Sequence, residues 1–284
     1  MIYISSSCVR HKYIRNSIKD LVEQGYSNIE LSGGTQPYSS LIEDLISLKK
    51  EFHLNYRCHN YFPPPEEPFI LNLASPNKKC SRKSLDHIKK AIELTEKLGG
   101  KEYGFHAGFF IDIPVSEIGR PITPQSILPK DKCIKTFYRN VRELRSFTDL
   151  NLYIENNVLS FENYQRFNNS NPFMCASREE CLDVINDLGV KLLLDVAHLK
   201  VSCNSLSLDF SDQMASLLEV SDYIHISDND ALSDSNQKFI VNSQLFKTLS
   251  KNKELLKDKT FTIEVYSGLS DLQESLQTLE QLIQ

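Results

Sequence analysis

Four acidic or imidazole side chains end four successive apolar segments in the second half of the chain. They are Glu155 in LNLYIENN, Asp195 in VKLLLDVAH, His225 in DYIHISDND and Glu264 in FTIEVY. Runs of β-branched and aliphatic residues of this length are typical of buried strands, and each polar residue stands where its run stops. The spacing between neighbouring members leaves room for one strand and one crossover helix. If the strands are parallel neighbours, the four side chains meet at the carboxyl-end edge of one sheet.

Three carboxylates and one imidazole at one edge form a binding site for a hard or borderline divalent cation. Carboxylates that lie close together raise one another's pKa unless a cation neutralises them. We therefore expect one divalent metal ion, bound by Glu155, Asp195, His225 and Glu264. Manganese and zinc suit this donor set best, and magnesium and cobalt are also compatible with it.

Strand-like and helix-like segments alternate along the whole chain. Four more strands are predicted, at residues 2–6, 28–31, 54–58 and 103–105. Apolar residues at helical spacing predict helices at residues 13–24, 41–52, 82–98, 132–147, 178–188, 210–220, 244–256 and 271–283. Strand–helix pairs without a linker predict an α/β fold, a single (β/α)8 TIM barrel that occupies residues 1–284 as one domain. The alternative, an open doubly wound sheet, needs a glycine-rich nucleotide loop, and Gly33-Gly34 is too weak a signal for one.

Three further histidines fall at predicted strand ends, where the chemistry of a (β/α)8 barrel lies. His59 follows the third strand, His106 follows the fourth, and His198 comes three residues after Asp195. A lone histidine at a strand end is more often a hydrogen-bonded scaffold residue than a ligand. For His225 the acids on neighbouring strands favour ligation instead.

Composition narrows the class of partner. The chain has 284 residues, of which 40% are hydrophobic and 24% charged, as in ordinary globular proteins. A net charge of −5 argues against nucleic acid or an acidic membrane as the main partner, because Lys and Arg dominate such contacts. The seven cysteines contain no C-x-x-C pair, which favours structural thiols in a reducing compartment. The first residues, MIYISSSCVR, predict a strand and not a signal peptide, so we expect a cytoplasmic protein.

The motifs resemble those of the xylose-isomerase-like superfamily of metal-dependent sugar isomerases and epimerases, which also includes the apurinic endonucleases. The resemblance covers essentially the whole chain, through IEL at strand two, the strand-three histidine, HAG, ENN, LLLDVAH and DYIHISDND. It implies that Glu155, Asp195, His225 and Glu264 bind one divalent metal and that His198 contacts the substrate. The implied partner is a small-molecule carbohydrate, and the sequence leaves homo-oligomerisation open.

One segment departs from the family pattern. After the strand-seven histidine, members with several metal ions carry an acid followed two residues later by histidine, whereas this chain has Asp234-Ser235-Asn236. Asparagine at that position argues against a third metal ion and against phosphodiesterase chemistry. Asp228 and Asp230 are interpreted as parts of a solvated turn.

The residues predict a proton-transfer reaction. With a hydroxy-carbonyl sugar chelated by the metal, Glu155 and Glu264 approach opposite faces, so that one removes a proton to give an enediolate and the other returns one. His106 and His198 would orient or protonate the oxyanion, and His59 is divided between substrate contact and scaffold. The favoured function is therefore a sugar isomerase or epimerase. The alternatives are a sugar dehydratase, an apurinic-site endonuclease and a metal-binding barrel without activity.

Overall fold

The computed structural model of this protein describes residues 1–118 and 120–284. Over these residues, parallel strands form a closed barrel in which each strand pairs with the next and the last pairs with the first. The strands are β1 (Ile2–Ser5), β2 (Asn28–Leu31), β3 (Asn55–His59), β4 (Glu102–His106), β5 (Asn151–Glu155), β6 (Lys191–Asp195), β7 (Tyr223–Ile226) and β8 (Thr260–Ile263). The predicted (β/α)8 barrel is thereby confirmed.

Helices alternate with the strands as the sequence predicted, and further helices precede and follow β6. They are α1 (Ile14–Glu23), α2 (Leu41–Phe52), α3 (Lys78–Lys97), α4 (Lys130–Phe147), α5 (Phe161–Arg166), α6 (Arg178–Leu188), α7 (Val196–Leu206), α8 (Phe210–Val220), α9 (Gln244–Lys251) and α10 (Leu269–Ile283). In the part of the chain that the structure describes, no helix is both long and apolar enough to cross a membrane.

The structure differs from the predicted elements at several places, and helix α3 already begins at Lys78. Strands β3 and β4 extend to His59 and His106, which are their last residues. The helix predicted over residues 244–256 ends at Lys251 and is followed by a separate 3₁₀ turn. Helices α5 and α7 were not predicted. Nine of the eleven residues of α7 are buried, so it lacks the one-sided apolar pattern of a surface helix.

Residues alternate along each strand between the helix-covered outside and the inside of the barrel. On β6, Leu192 and Leu194 belong to the large core between strands and helices, whereas Leu193 packs with Tyr153 and Tyr223 in a separate buried cluster. This small cluster fills the barrel beneath its carboxyl-end opening. Residues two positions further along the same strands therefore point inward above it, at the level of the predicted site.

Close packing against Gly108 positions the loop that follows β4. A Cβ atom added at Gly108 would lie 2.4 Å from the Cβ of Ala74 and 3.1 Å from the Sδ of Met174. The neighbouring backbone is held by Asn72, whose Oδ1 accepts from the amide of Phe109 at 3.0 Å. The glycine of the HAG motif is therefore required by the close approach of the loop before α3.

We expect Gly108→Ala to lower the free energy of unfolding by about 1–3 kcal/mol, because overpacking forces the loop carrying Ala74 to move. Urea denaturation measures this change. Ala74→Gly in the same chain removes the closest atom, so the two substitutions together should cost less than the sum of their separate effects. An unfolding midpoint of Gly108→Ala equal to that of the unmodified chain would contradict this account.

Candidate metal centre

The structure brings the four predicted ligands together around the imidazole of His225. Its Nδ1 lies 3.4 Å from Oε1 of Glu155 and 3.3 Å from Oε2 of Glu264. The same nitrogen lies 4.0 Å from Oδ2 of Asp195. None of these contacts has hydrogen-bond geometry, so this fully buried nitrogen has no hydrogen-bond partner among the described residues. An orphaned imidazole nitrogen that faces three carboxylates fits a divalent cation, although the role of these residues as ligands stays a prediction.

The turn from β6 into α7 orients Asp195 and His198. Asp195 is the N-cap of α7, and its Oδ1 accepts from the backbone N–H of His198 at 2.7 Å, which leaves Oδ2 directed to His225. The side chain of Asn156 holds the backbone of Asp195 from both sides, donating to its carbonyl at 3.0 Å and accepting from its amide at 2.8 Å. The ENN motif and the LLLDVAH motif are thus tied to each other.

Glu264 is oriented by two hydroxyl groups that the sequence analysis did not single out. Its Oε1 accepts from the Oγ of Ser7 at 3.0 Å and from the hydroxyl of Tyr266 at 3.1 Å. Its Oε2 is then the oxygen that contacts His225. The Glu264 side chain is 13% exposed, more than Glu155 at 1%, so it lies on the open side of the site.

A second group of donors shares Glu155. The Nε2 of His59 lies 2.8 Å from Oε2 of Glu155 in a hydrogen bond, and Nδ1 of His106 lies 3.2 Å from the same oxygen without forming one. Ligand atoms of His59, His106 and Glu155 all lie within 4.8 Å of one another. Glu155 therefore faces His225 with one oxygen and the two histidines with the other, as a carboxylate between two cations would.

The carboxylates of the site differ in their proton affinity. Burial raises the pKa of Glu155, but the charges of its histidine neighbours, His106 foremost, bring it well below the ordinary value. Burial also opposes ionisation of Glu264, yet contact with His225 lowers its pKa to about 2. Burial raises the pKa of Asp195 to about 6. All three acids around His225 are therefore largely ionised at neutral pH, and Asp195 is the first of them to take up a proton as the pH falls.

The pKa values of the histidines at the site are shifted in different directions. Burial lowers the pKa of His225, but Glu30 and the other carboxylates around it raise it well above the ordinary value. The pKa of His198 is shifted in the same direction by its acidic neighbours, and that of His59 is raised to a smaller extent. Burial lowers the pKa of His106 to about 4. A protonated His225 thus supplies the positive charge that its carboxylates require when no other cation is present.

The segment after β7 explains the asparagine that departs from the family pattern. Asn236 donates to Oδ1 of Asp234 at 3.1 Å, and Oδ2 of Asp234 lies 3.3 Å from Nε2 of His198. Asn236 also accepts from the hydroxyl of Ser227 at 3.1 Å. Its amide therefore positions Asp234 beside His198.

The interpretation of Asp228 as a solvated turn residue is wrong. Asp228 is buried and pairs with Nζ of Lys200 at 2.6 Å, and the same ammonium donates to the carbonyl of Asn229 at 2.6 Å. Lys200 lies on α7, a helix that the sequence analysis did not predict, so its partner could not be foreseen. Asp230 agrees with the prediction, since it is exposed and accepts from the amides of the turn that follows it.

The comparisons with solved structures show the same architecture. A D-tagatose 3-epimerase-like protein superposes with a TM-score of 0.74 at 16% identity, covering 99% of this chain and 96% of that chain. An L-ribulose 3-epimerase gives 0.70 at 14% identity, covering 99% and 94%. Endonuclease IV from Thermus thermophilus gives 0.60 at 16% identity, covering 99% of both chains. At such identities the likeness concerns the fold alone.

A search of the curated proteins found no match. A family model described as a xylose isomerase-like TIM barrel matches residues 18–281, which is most of the chain. The protein therefore belongs to the xylose isomerase-like TIM barrel family.

Proposed function

We propose that this protein is a divalent-metal-dependent isomerase or epimerase of a small sugar or sugar derivative. The observation that carries the proposal is the placement of Glu155 and Glu264, on β5 and directly after β8, at 3.4 and 3.3 Å from the same nitrogen of His225. Two carboxylates flanking one buried position can act on two faces of one bound substrate. The fold shared with a D-tagatose 3-epimerase-like protein and an L-ribulose 3-epimerase supports the same class of reaction.

The residues that would hold the ion are Glu155, Asp195, His225 and Glu264, with manganese and zinc favoured. When bound, the ion supplies Lewis-acid polarisation of a substrate carbonyl and acidifies the adjacent C–H bond. The low pKa values of Glu155 and Glu264 keep both carboxylates available as bases. One removes the proton from carbon to give an enediolate, and the other, after taking a proton from solvent, returns it.

The pKa directions separate the roles of the histidines. The raised pKa of His198 makes it the proton donor to the oxygen that gains charge in the enediolate. The pKa of about 4 for His106 keeps it neutral, so it orients the same oxygen by a hydrogen bond and supplies no proton. Hydrogen bonding to Glu155 gives His59 a scaffold role in this mechanism, in which it orients the carboxylate.

Substitution of the acids separates catalysis from metal retention. Glu264→Gln keeps an oxygen donor and removes the base, so the protein should retain metal while sugar-dependent proton exchange in deuterated water falls by about 100- to 10,000-fold. Asp195→Asn should instead weaken metal binding first, with exchange partly restored by excess metal. Metal content of the purified variants and proton exchange followed by NMR measure the two effects. Exchange at the rate of the unmodified protein in Glu264→Gln would contradict the two-glutamate mechanism.

Metal affinity should rise with pH between about pH 5 and pH 8, because bound ligands must be deprotonated. The pKa of Asp195 is raised to about 6 and that of His225 well above its ordinary value, so both hold protons that the ion must displace. Titration calorimetry in two buffers of different ionisation enthalpy measures the protons released. Affinity independent of pH, with no proton release, would show that these residues are not the ligands.

A second candidate, a two-metal phosphodiesterase, is favoured by the donor group of His59, His106 and Glu155. Pairs of metal ions that share a carboxylate are typical of phosphatases and nucleases, and endonuclease IV shares the fold. Asn236 in the place of histidine and the net charge of −5 weigh against this candidate.

We expect one ion per chain and no detectable binding to abasic duplex DNA at physiological salt. Metal analysis and an electrophoretic binding assay, with incision of the same duplex as a third readout, test them. Two ions per chain together with incision would favour the phosphodiesterase. In that case His106→Gln is the matched control, because it would abolish the second ion and incision while the first ion remains.

A further inference from the structure

Glu30 is a fully buried carboxylate inside the barrel, at a position where burial of a charge is costly. It lies on β2, between Ile29 and Leu31, which belong to the core outside the barrel. Its Oε2 accepts from the hydroxyl of Thr262 at 3.0 Å and lies 3.2 Å from Nε2 of His225. Its Oε1 lies 3.1 Å from the same nitrogen. His225 is therefore the cationic or hydrogen-donating partner of this carboxylate.

The two nitrogens of His225 face different groups. Nε2 faces Glu30 and the hydroxyl of Tyr223, and Nδ1 faces Glu155 and Glu264 at the centre of the site. An ionised carboxylate can only accept, so the Nε2 position must carry a hydrogen to make this contact. In a neutral imidazole the lone pair is then on Nδ1, the nitrogen that has no hydrogen-bond partner among the described residues.

We infer that Glu30 is a positioning residue that holds the His225 ring and its tautomer so that Nδ1 is presented to the metal. The inference rests on the proposed metal centre. A carboxylate behind a ligating imidazole restricts ring rotation and increases the basicity of the ligand nitrogen. Glu30 itself does not reach the centre, because the His225 ring lies between them.

A competing arrangement can be stated from the same atoms. Ligand atoms of Glu30, His59 and His225 also lie within 4.8 Å of one another, so an ion could bind beneath the ring through Nε2. Glu30 would then be a ligand and not a positioning residue. The nitrogen that binds metal distinguishes the two arrangements.

Zinc is the probe, because it is diamagnetic and permits NMR of the imidazole nitrogens. In zinc-loaded protein with ¹⁵N-labelled histidine, long-range ¹H–¹⁵N spectra should show His225 with hydrogen on Nε2 and metal on Nδ1. His225→Gln identifies the signals. Metal on Nε2 of His225 would overturn the inference in favour of the competing arrangement.

The zinc affinity of the Glu30 variants measures how much Glu30 contributes to metal binding. Glu30→Met keeps the length of the side chain without an acceptor, and its affinity should fall about 10- to 100-fold. Glu30→Gln keeps an acceptor oxygen without the charge and should lose less. Thr262→Val, at the same depth in the barrel, removes the hydroxyl that contacts Glu30 at 3.0 Å and the hydroxyl of Tyr223 at 3.2 Å. It keeps the Glu30 carboxylate and is the matched control, with the smallest loss.

Different results would overturn the proposed metal centre and the role of Glu30. Unchanged zinc affinity in folded Glu30→Met would overturn the role of Glu30 while the metal centre stands. Absence of zinc binding in the unmodified protein would overturn the metal centre and the inference together. A graded loss of affinity together with Nδ1 ligation supports the inference even if no sugar exchanges its protons.

Discussion

The enclosure of one imidazole by carboxylates is the constraint on which the site depends. His225 is fully buried, with Glu30 on one side of its ring. On the other side lie acids from β5, from β6 and from the residue directly after β8. Such a concentration of negative charge away from water is unstable unless a cation lies within it. The carboxylates raise the pKa of His225 well above its ordinary value, so that its imidazolium form can supply part of this positive charge. A bound divalent ion would neutralise the same carboxylates with a larger positive charge.

The barrel makes this enclosure possible by separating its layers. The cluster of Tyr153, Leu193 and Tyr223 closes the barrel below the site. It is separate from the large core between the strands and the helices. Above it, the inward positions carry polar groups whose hydrogen bonds are made to one another, as between Thr262 and Glu30. The hydrophobic stabilisation of the fold thus comes mostly from the outer faces of the strands, and the inner faces can carry charged side chains.

The loops around the site are held by buried polar side chains. Asn157 donates to the carbonyls of Ala107, Gly108 and Met174, so the loop after β5 supports the loop after β4. Lys200 links α7 to the segment after β7, because its ammonium contacts Asp228 and the carbonyl of Asn229. The proposed ligand set comes from four strands and needs such connections, because a displacement of about 1 Å in one loop is enough to lose a productive geometry.

The sequence by itself determined the barrel and the four side chains at its opening. Strands and helices differ in apolar period, and the carboxyl ends of parallel strands share one edge, so that local pattern and chain order were sufficient. The same reasoning placed His59 and His106 near Glu155, since all three end strands that follow one another around the barrel.

Only the tertiary structure decided which buried acids lie at the candidate site and which groups they contact. Glu30 is an acid within an apolar strand, and barrel closure alone brings β2 within reach of β7, which is not its neighbour. The burial of Asp228 depends on Lys200, which lies on a helix without an amphipathic pattern. The two oxygens of Glu155 are shared between His225 and His59 through differences of less than 1 Å. Contacts of that kind depend on the stagger of distant strands, a property that no local stretch of residues contains.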